Sequence, residues 1–190
     1  MMRYLLILLV LCLLPAGAAD WPQFLGPSRN GMAPDKGIAT DWVKRPPKLR
    51  WQVALTDDGF AGPAVARGTV FIIDHQGKQD IVRALDLKTG RERWRFAYAD
   101  ADKHVYGFAR ATPAIAGGKV YTLSRLGKVH CLDAGTGKLC WKRDIAADFT
   151  GKVPQWGYSM SPCVDGDALI IADGCLLVRN RKALACLTLK

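Results

Sequence analysis

A chain of 190 residues is long enough for one ordinary domain with a sizeable core. Charged residues make up 23% and apolar residues 49%, which excludes a disordered chain and one that lies in a membrane throughout. The net charge of +10 is spread along the chain, as on solvated strand and turn faces. The alternative is a basic surface for acidic proteins or anionic lipid heads. No basic helix or base-stacking motif accompanies the charge, so we expect no nucleic-acid partner.

The first 19 residues have the pattern of a secretory signal peptide. Arg3 gives a positive start, residues 4–14 form an apolar run, and small residues at 16–18 precede a cleavage point. The apolar run is too short to cross a bilayer comfortably. We therefore predict a cleaved signal over residues 1–19 and a periplasmic or secreted product that does not span the membrane.

Residues 20–48 form a Pro/Gly-rich arm. Their prolines oppose regular helix or central strand. The aromatic side chains Trp21, Phe24 and Trp42 indicate that the arm packs against the main body, with a ligand-binding role as the alternative. Five prolines define the arm: Pro22, Pro27, Pro34, Pro46 and Pro47.

From residue 49 onward the chain has the pattern of short strands, and no stretch has a convincing helical period. Residues 49–55 alternate apolar and polar side chains, which predicts a half-buried strand that carries Trp51. Groups of four short strands follow at about 59–98, 107–145 and 157–190. Each group opens on a proline, at intervals of about 50 residues: Pro63, Pro113 and Pro162.

One motif recurs in the first two groups. Residues 84–94 read Ala-Leu-Asp-Leu-Lys-Thr-Gly-Arg-Glu-Arg-Trp, and residues 131–141 read Cys-Leu-Asp-Ala-Gly-Thr-Gly-Lys-Leu-Cys-Trp. Each copy is an apolar run, a polar turn with glycine, and a second run that ends in tryptophan, which predicts a hairpin. Recurrence at this period indicates a repeat architecture, and four short strands per repeat indicate the blades of a β-propeller. The matched residues are Asp86, Thr89, Gly90 and Trp94 in the first copy and Asp133, Thr136, Gly137 and Trp141 in the second.

The motif resembles the tryptophan-docking motif of the pyrroloquinoline-quinone (PQQ)-like β-propeller repeat family. The resemblance implies an all-β fold of four-stranded antiparallel blades in a ring of seven or eight, of which about three are present. It also implies that Trp94 and Trp141 wedge between neighbouring blades, with Trp51 as a third wedge. The aspartate and threonine of each turn would satisfy backbone donors locally.

The third group departs from the pattern. Thr188 stands where the motif has aspartate, and no Thr-Gly-x-x-x-Trp follows it. We therefore expect residues 49–190 to be a partial propeller, whose last blade is incomplete. A fragment, or a chain truncated or frameshifted near Gly174, accounts for this pattern.

Two function classes fit the resemblance, because a fold does not fix a function. The first is a non-catalytic binding or scaffold module for envelope proteins, similar to the propeller subunits of outer-membrane β-barrel assembly machineries. The second is a PQQ-dependent quinoprotein dehydrogenase that oxidises alcohols or sugars, with PQQ and calcium at the ring centre. Quinoprotein alcohol dehydrogenases are expected to carry a disulfide between adjacent cysteines, and no two cysteines are adjacent here. We favour the first class and expect no catalytic residue, metal or cofactor, so PQQ and calcium belong only to the alternative.

Several polar and aromatic residues allow a ligand-binding interpretation, but each also has a structural one. In the structural interpretation, the aspartate pairs sit in a hairpin turn or cap an exposed loop, and the aromatic residue lies at a blade rim or between blades. The arginines are near blade openings and could reach the axis to bind a ligand, but no acidic partner can be named for them. Isolated histidines are expected to be structural or exposed rather than ligands. These residues are Asp165 and Asp167, Asp100 and Asp102, Trp156, Arg110 and Arg125, and His75, His104 and His130.

The cysteines leave two possibilities open. Cys131 and Cys140 flank one hairpin turn, so a disulfide between them is permitted in an oxidising compartment. Free thiols that behave as small apolar residues are the alternative. No Cys/His spacing fits a zinc site. The five cysteines that follow the predicted signal are Cys131, Cys140, Cys163, Cys175 and Cys186.

Overall fold

The computed structural model describes residues 19–56, 59–100 and 107–171, together with the backbone of two later strands. Within these residues the chain forms short strands and a single helical turn, α1, at Ile145–Asp148. The strands, in chain order, are β1 Ala64–Ala66, β2 Thr69–Gln76, β3 Gln79–Asp86, β4 Glu92–Ala99, β5 Ala114–Ala116, β6 Lys119–Leu123, β7 Lys128–Asp133, β8 Leu139–Asp144, β9 Cys163–Asp165, β10 Ala168–Ile170, β11 Cys175–Arg179 and β12 Leu184–Thr188.

The strands form four-stranded antiparallel sheets in sequence order. Strands β1 to β4 make one sheet, which we call blade 1, and β5 to β8 make a second, which we call blade 2. Strands β9 and β10 pair, β11 and β12 pair, and β10 lies beside β11. The first strands of successive units, β1, β5 and β9, are neighbours. The predicted all-β fold with four-stranded antiparallel units is thereby confirmed.

Both faces of blade 1 are buried at β2, which explains the continuous apolar run at residues 70–73. Phe71 and Ile73 belong to a core that also contains Val120 and Leu132 of blade 2. Alternate residues of the same strand, such as Ile72, point to a second cluster on the opposite face. Each fully buried side chain of this size contributes about 1.5–3 kcal/mol, so the packing of blade 1 on blade 2 stabilises both sheets.

A third apolar cluster joins blade 2 to the strands that follow it. Leu123 and Val129 of blade 2 pack in one cluster with Leu169 and Ile171, and Ile145 of α1 completes it. This helix is not predicted by the sequence pattern, because four residues are too few to show a helical period. The turn begins where the Asp144 carboxylate accepts a hydrogen bond of 3.1 Å from Ala147 N. No helix in the described ranges is long and apolar enough to cross a membrane.

The N-terminal arm touches the body at its start. Trp21 and Val65 exchange two backbone hydrogen bonds of 2.8 Å, so the arm pairs with β1. Phe24 and Trp42 are exposed, at 58% and 62% of their surface, and their expected packing against the body is wrong. The Trp42 indole instead donates to Ala39 O at 2.6 Å, within the arm itself.

Residues 49–55 do not form the predicted strand. The alternation is present, because Trp51 and Val53 are half-buried against the Ile72 face of blade 1 while Gln52 and Ala54 are exposed. No described strand pairs with this segment, and a strand requires a neighbouring ladder as well as an alternating pattern.

Other predictions fall outside the described residues. Residues 1–18, which hold nearly all of the predicted signal peptide, are among them, and so is the predicted truncation point near Gly174. Asp102 and His104 also lie outside, as do the side chains of Cys175, Cys186 and Thr188.

Candidate functional site

The turn between the last two strands has the same hydrogen bonds in both blades. In blade 1, Asp86 Oδ1 accepts from the backbone N and the hydroxyl of Thr89, both at 2.9 Å. In blade 2, Asp133 Oδ1 accepts from the backbone N of Thr136 at 3.1 Å and from its hydroxyl at 2.9 Å. One carboxylate oxygen therefore fixes each turn by local side-chain contacts.

A glycine ends each turn and lies against a tryptophan ring. Gly90 and Gly137 have φ of +70° and +71°, a region that glycine enters without steric cost. A Cβ placed on Gly90 would lie 2.7 Å from the ring of Trp51, and one on Gly137 would lie 2.6 Å from the ring of Trp94. Both the backbone conformation and the approach of the indole therefore require glycine.

The two indole N–H groups donate to equivalent carbonyls in these turns. Trp51 Nε1 donates to Leu87 O at 3.0 Å, and Trp94 Nε1 donates to Ala134 O at 3.0 Å. Trp94 belongs to blade 1 but bonds to the turn of blade 2, and its ring also packs on Phe71 at a centroid distance of 5.9 Å. One side chain thus contacts the cores of two successive sheets.

Trp141 occupies the corresponding place at the end of blade 2. Its half-buried ring packs with Tyr121 at a centroid distance of 6.1 Å and belongs to the cluster of Val164 and Leu169. The 190-residue sequence contains no third copy of the glycine turn against which this ring could be compared. The blade-docking role that the resemblance implies for the tryptophans stays a prediction.

The second carboxylate oxygen of each turn aspartate binds a cation, but the cation comes from different strands. In blade 1, Arg93 contacts Asp86 Oδ2 at 2.5 Å and the hydroxyl of Thr69 at 2.7 Å. In blade 2, Lys119, at the position of Thr69, contacts Asp133 Oδ2 at 3.2 Å. Arg93 is the largest cause of the lowered pKa of Asp86. Each blade thus keeps one ion pair at the same carboxylate.

Cys140 occupies the place of Arg93 in the second blade, and Cys131 occupies that of Ala84. No disulfide joins the two cysteines; Cys131 is 2% exposed and Cys140 is exposed. The disulfide that the sequence left open is therefore not formed, and the buried-thiol alternative describes Cys131.

A buried polar network lies at the opposite end of blade 1, beside the β2–β3 turn. His75 Nδ1 lies 2.8 Å from Asp80 Oδ1, and its Nε2 lies 2.8 Å from Gly77 O. Tyr98 donates to Asp80 Oδ2 at 3.1 Å, and Phe108 stacks on the His75 ring with centroids 3.3 Å apart. A carbonyl only accepts, so the contact of Nε2 with Gly77 O requires a hydrogen on Nε2, and the contact of Nδ1 with Asp80 requires a hydrogen on one of those two groups. Burial raises the pKa of Asp80 to about 6.

His130 extends this network toward blade 2. It is 4% exposed, stacks on Tyr98 at a centroid distance of 4.2 Å, and has no hydrogen-bond partner for Nδ1. Burial first, then Lys142 and Lys128, lower its pKa to about 4, so the imidazole is neutral at neutral pH. His75 and His130 are both buried and packed on aromatic rings, and the expectation that they are not ligands stays a prediction.

Arg110 and Arg125, which the sequence places near blade openings, both contact the segment at 156–158. Arg110 donates to Trp156 O, and Tyr158 N donates to Arg125 O at 2.8 Å. Gly157 has φ of +68°, and a Cβ there would lie 2.3 Å from Arg125 Cγ. Trp156 itself is half exposed, at 51%, in accord with a rim position.

The aspartates considered for metal binding are separated. Asp165 and Asp167 flank Gly166 in the β9–β10 connection, so the predicted hairpin turn is confirmed. Asp100 is 2% exposed, and its Oδ2 has no hydrogen-bond partner. In the ranges that the structure describes, no three His, Cys, Asp or Glu side chains cluster as metal ligands would.

Repeated four-stranded blades, joined at tryptophan–glycine contacts, define a protein of the β-propeller class. The family model described as "Outer membrane protein assembly factor BamB" matches residues 35–150 and 78–183, which is more than half of the chain. The chain therefore belongs to the PQQ-like β-propeller repeat family.

Three curated proteins are similar to the chain over part of their length. The serine/threonine-protein kinase AfsK of Streptomyces griseus is 31% identical over 142 residues, which are 72% of this chain and 16% of the kinase. The outer membrane protein assembly factor BamB of Moranella endobia (strain PCIT) is 29% identical over 57% of the chain and 26% of its own length. The dehydrogenase subunit of the quinone alcohol dehydrogenase of Gluconobacter oxydans (strain 621H) is 32% identical over 70% of the chain and 17% of its own length.

Solved structures have the same fold. BamB from Moraxella catarrhalis is 25% identical, with a TM-score of 0.52 over 67% of this chain and 39% of that protein. The quinohemoprotein alcohol dehydrogenase of Comamonas testosteroni is 21% identical, with a TM-score of 0.60 over 90% of this chain and 28% of that protein. The chain thus spans well under half the length of each of these relatives.

Proposed function

We propose that the chain is part of an extracytoplasmic propeller that acts as a non-catalytic binding or scaffold module for envelope proteins. The observation that carries the proposal is the family match, described as an outer membrane protein assembly factor, over residues 35–150 and 78–183. The BamB structure from Moraxella catarrhalis, at 25% identity, supports the same assignment. The predicted signal peptide at 1–19 supports a periplasmic or secreted location.

The polar groups at the blade ends support a structural rather than a catalytic use. Both oxygens of Asp80 accept hydrogen bonds or share a proton, from His75 and Tyr98. The Arg110 side chain donates to Trp156 O, and the backbone carbonyl of Arg125 accepts from Tyr158 N. Side chains that satisfy one another in this way rigidify a scaffold.

We also propose that the tryptophans clamp successive blades together. Trp94 fills the space over Gly137 and donates to Ala134 O, and Trp51 repeats both contacts at Gly90. Burial of an aromatic ring and one hydrogen bond at each junction would hold the loops of the ring in fixed positions. A scaffold needs such rigidity to present loops to a partner.

A quinoprotein dehydrogenase is the second candidate, favoured by the 32% identity to the Gluconobacter oxydans dehydrogenase subunit. Bound PQQ would carry the oxidation chemistry in such an enzyme. Among the described residues, the buried Oδ2 of Asp100 has no hydrogen-bond partner and could serve as a ligand of a cation. Calcium takes about 6–8 oxygen ligands, and this one carboxylate does not make such a site. The described residues therefore do not fit calcium with PQQ.

The two candidates differ in a direct binding experiment. The full-length protein is titrated with PQQ in the presence and absence of calcium, and dye-linked alcohol oxidation is measured on the same sample. In parallel, the tagged protein is cross-linked in envelope vesicles, and the captured proteins are compared with those of Trp94→Ala and of the exposed control Trp42→Ala. A scaffold captures outer-membrane assembly proteins with wild type and Trp42→Ala but loses them with Trp94→Ala. Saturable PQQ binding with alcohol oxidation would reject the scaffold assignment.

A further inference from the structure

Two cysteines of blade 2 meet on one cavity because of a β-bulge. Cys131 pairs with Trp141 and Leu132 pairs with Leu139, so Cys140 is the extra residue of the bulge. Regular alternation would place Cys140 and Trp141 on opposite faces of the sheet. With the bulge, both line the same cavity of about 590 Å³ that Cys131 also lines.

The ladder places the two cysteines on neighbouring strands at the bulge. Directly paired residues of antiparallel strands have Cα atoms about 4.5–5.5 Å apart. Cys140 adjoins Trp141, the residue paired with Cys131, and faces the same cavity. A disulfide spans Cα separations of about 4.4–6.8 Å. The two residues of a bulge oppose one residue of the partner strand, so Cys140 and Trp141 together face Cys131.

The repeat in blade 1 has no thiol at either position. Ala84 stands in place of Cys131, and Arg93 stands in place of Cys140. Arg93 is held by its bonds to Thr69 and Asp86. In blade 2, Lys119 makes the ion pair with the turn aspartate, so the residue at position 140 is not needed as a cation. Both positions therefore differ together, and the result is a cross-strand pair of thiols.

Lys119 also lies beside the exposed thiol. Its ammonium contacts Asp133, which is the main cause of its raised pKa, and the Cys140 thiol adds to the effect. The Cys140 sulfur lies 3.8 Å from Lys138 O. A cation next to an exposed sulfur attracts anionic disulfides, such as oxidised glutathione.

We propose that Cys131 and Cys140 form a dithiol site that undergoes thiol–disulfide exchange with a disulfide-bearing oxidant. The Cys140 thiolate attacks one sulfur of the oxidant, forms a mixed disulfide and releases one thiol. The Cys131 thiolate then attacks the Cys140 sulfur and expels the second thiol. Two electrons pass to the oxidant, whose disulfide becomes two thiols, and the two cysteine protons end on those thiols. The exposed residue reacts first because Cys131 is buried.

The disulfide would link β7 to β8 next to Trp141. The Trp141 ring packs on Leu169 of the following unit. Oxidation therefore acts on the junction between blade 2 and the third unit, and we expect the oxidised protein to have the higher melting midpoint. This inference is independent of the proposed scaffold role, because it depends only on the geometry of blade 2.

Trypsin separates the two cysteines, which makes the test direct. Cleavage after Lys128, Lys138 and Lys142 gives one peptide, 129–138, with Cys131 and another, 139–142, with Cys140. The reduced full-length protein is incubated with oxidised glutathione, alkylated, digested and analysed by mass spectrometry. We expect the two peptides to be disulfide-linked and the link to disappear after reduction.

Two variants and an unfolded sample are the controls. Cys163→Ser should keep the link, whereas Cys140→Ser should lose it and leave Cys131 unmodified until the protein is unfolded. The same oxidation in urea should give mixed products and a link that forms at least tenfold more slowly than in the folded protein. A Cys140–Cys163 link, a stable glutathione adduct on Cys140, or equal rates in urea and buffer would each overturn the proposal.

Discussion

A single methyl group added at Gly137 tests whether the Trp94 ring presses on the next blade. The added Cβ of Gly137→Ala would lie 2.6 Å from the ring at a φ of +71°. Gly118 has nearly the same φ, +72°, and nothing within 4 Å of its added Cβ beyond its own chain neighbours. Gly118→Ala therefore carries the backbone strain without the tryptophan contact.

The expected free energies of unfolding follow from these two terms. A left-handed conformation costs a non-glycine residue about 1–2 kcal/mol, which is the whole expected effect of Gly118→Ala. Overpacking against a ring adds about 1–3 kcal/mol, so Gly137→Ala should cost about 2–5 kcal/mol. Trp94→Ala should cost about 3–5 kcal/mol, toward the lower end because the ring is half-buried. In the double variant Gly137→Ala/Trp94→Ala the overpacking disappears. Its cost should therefore be smaller than the sum of the two single costs by about 1–3 kcal/mol.

Urea unfolding of the full-length protein, followed by circular dichroism, measures the stability of the wild type, the three single variants and the double variant. The exposed Trp42→Ala is the control for loss of a tryptophan and should change stability by less than about 0.5 kcal/mol. Equal costs for Gly137→Ala and Gly118→Ala, or strict additivity in the double variant, would contradict the docking of Trp94 on this turn.

Three further predictions concern the buried polar groups and the turn. His130 has a folded pKa of about 4, below the ordinary 6.5, so its contribution to stability is lost as pH falls through that window, by up to about 3 kcal/mol. In urea titrations, His130→Gln should therefore lose less stability between pH 7 and pH 4 than the wild type does. Equal losses in the two proteins would contradict the neutral burial of His130. Asp80 has the opposite sign, because a folded pKa of about 6 means that stability falls as pH rises through 6. Tyr98→Phe removes a hydrogen bond to this carboxyl and should cost about 1 kcal/mol at pH 5 and about 2–3 kcal/mol at pH 8, where the acceptor is charged; a pH-independent cost would refute that account. Thr136→Val should cost about 1 kcal/mol in the same assay, because Asp133 loses one donor, and an unchanged midpoint would count against the role of this turn.

The turn could be predicted from sequence because its contacts are local. Asp86 and Thr89 are three residues apart, and their hydrogen bonds need no other part of the chain. The hairpin around them follows from the same eleven residues. Residues 49–55 show the limit of such reasoning, because an alternating pattern records burial on one side but not whether a partner strand is present.

The polar network could not be predicted in the same way. Tyr98 and Asp80 are 18 residues apart on neighbouring strands, and only the register of β3 and β4 brings them together. The three histidines therefore looked isolated. The sequence did contain a signal for the thiol pair, because comparison of the repeats position by position shows Cys140 in place of Arg93. This replacement of arginine by cysteine is explained only by the structure, in which Lys119 binds the equivalent carboxylate.

The replacement of Arg93 by Cys140 shows which features of the turn are the same in the two blades and which differ. Both keep an aspartate whose first oxygen fixes the turn and whose second oxygen binds a cation. The turn sets the positive φ of its glycine, and the glycine leaves room for the indole of the preceding repeat. The second oxygen of the turn aspartate is reached from different strands in the two blades, so either Arg93 or Lys119 can form the ion pair. The tryptophan contact has no such freedom, because a side chain on Gly90 or Gly137 would occupy the space of the ring.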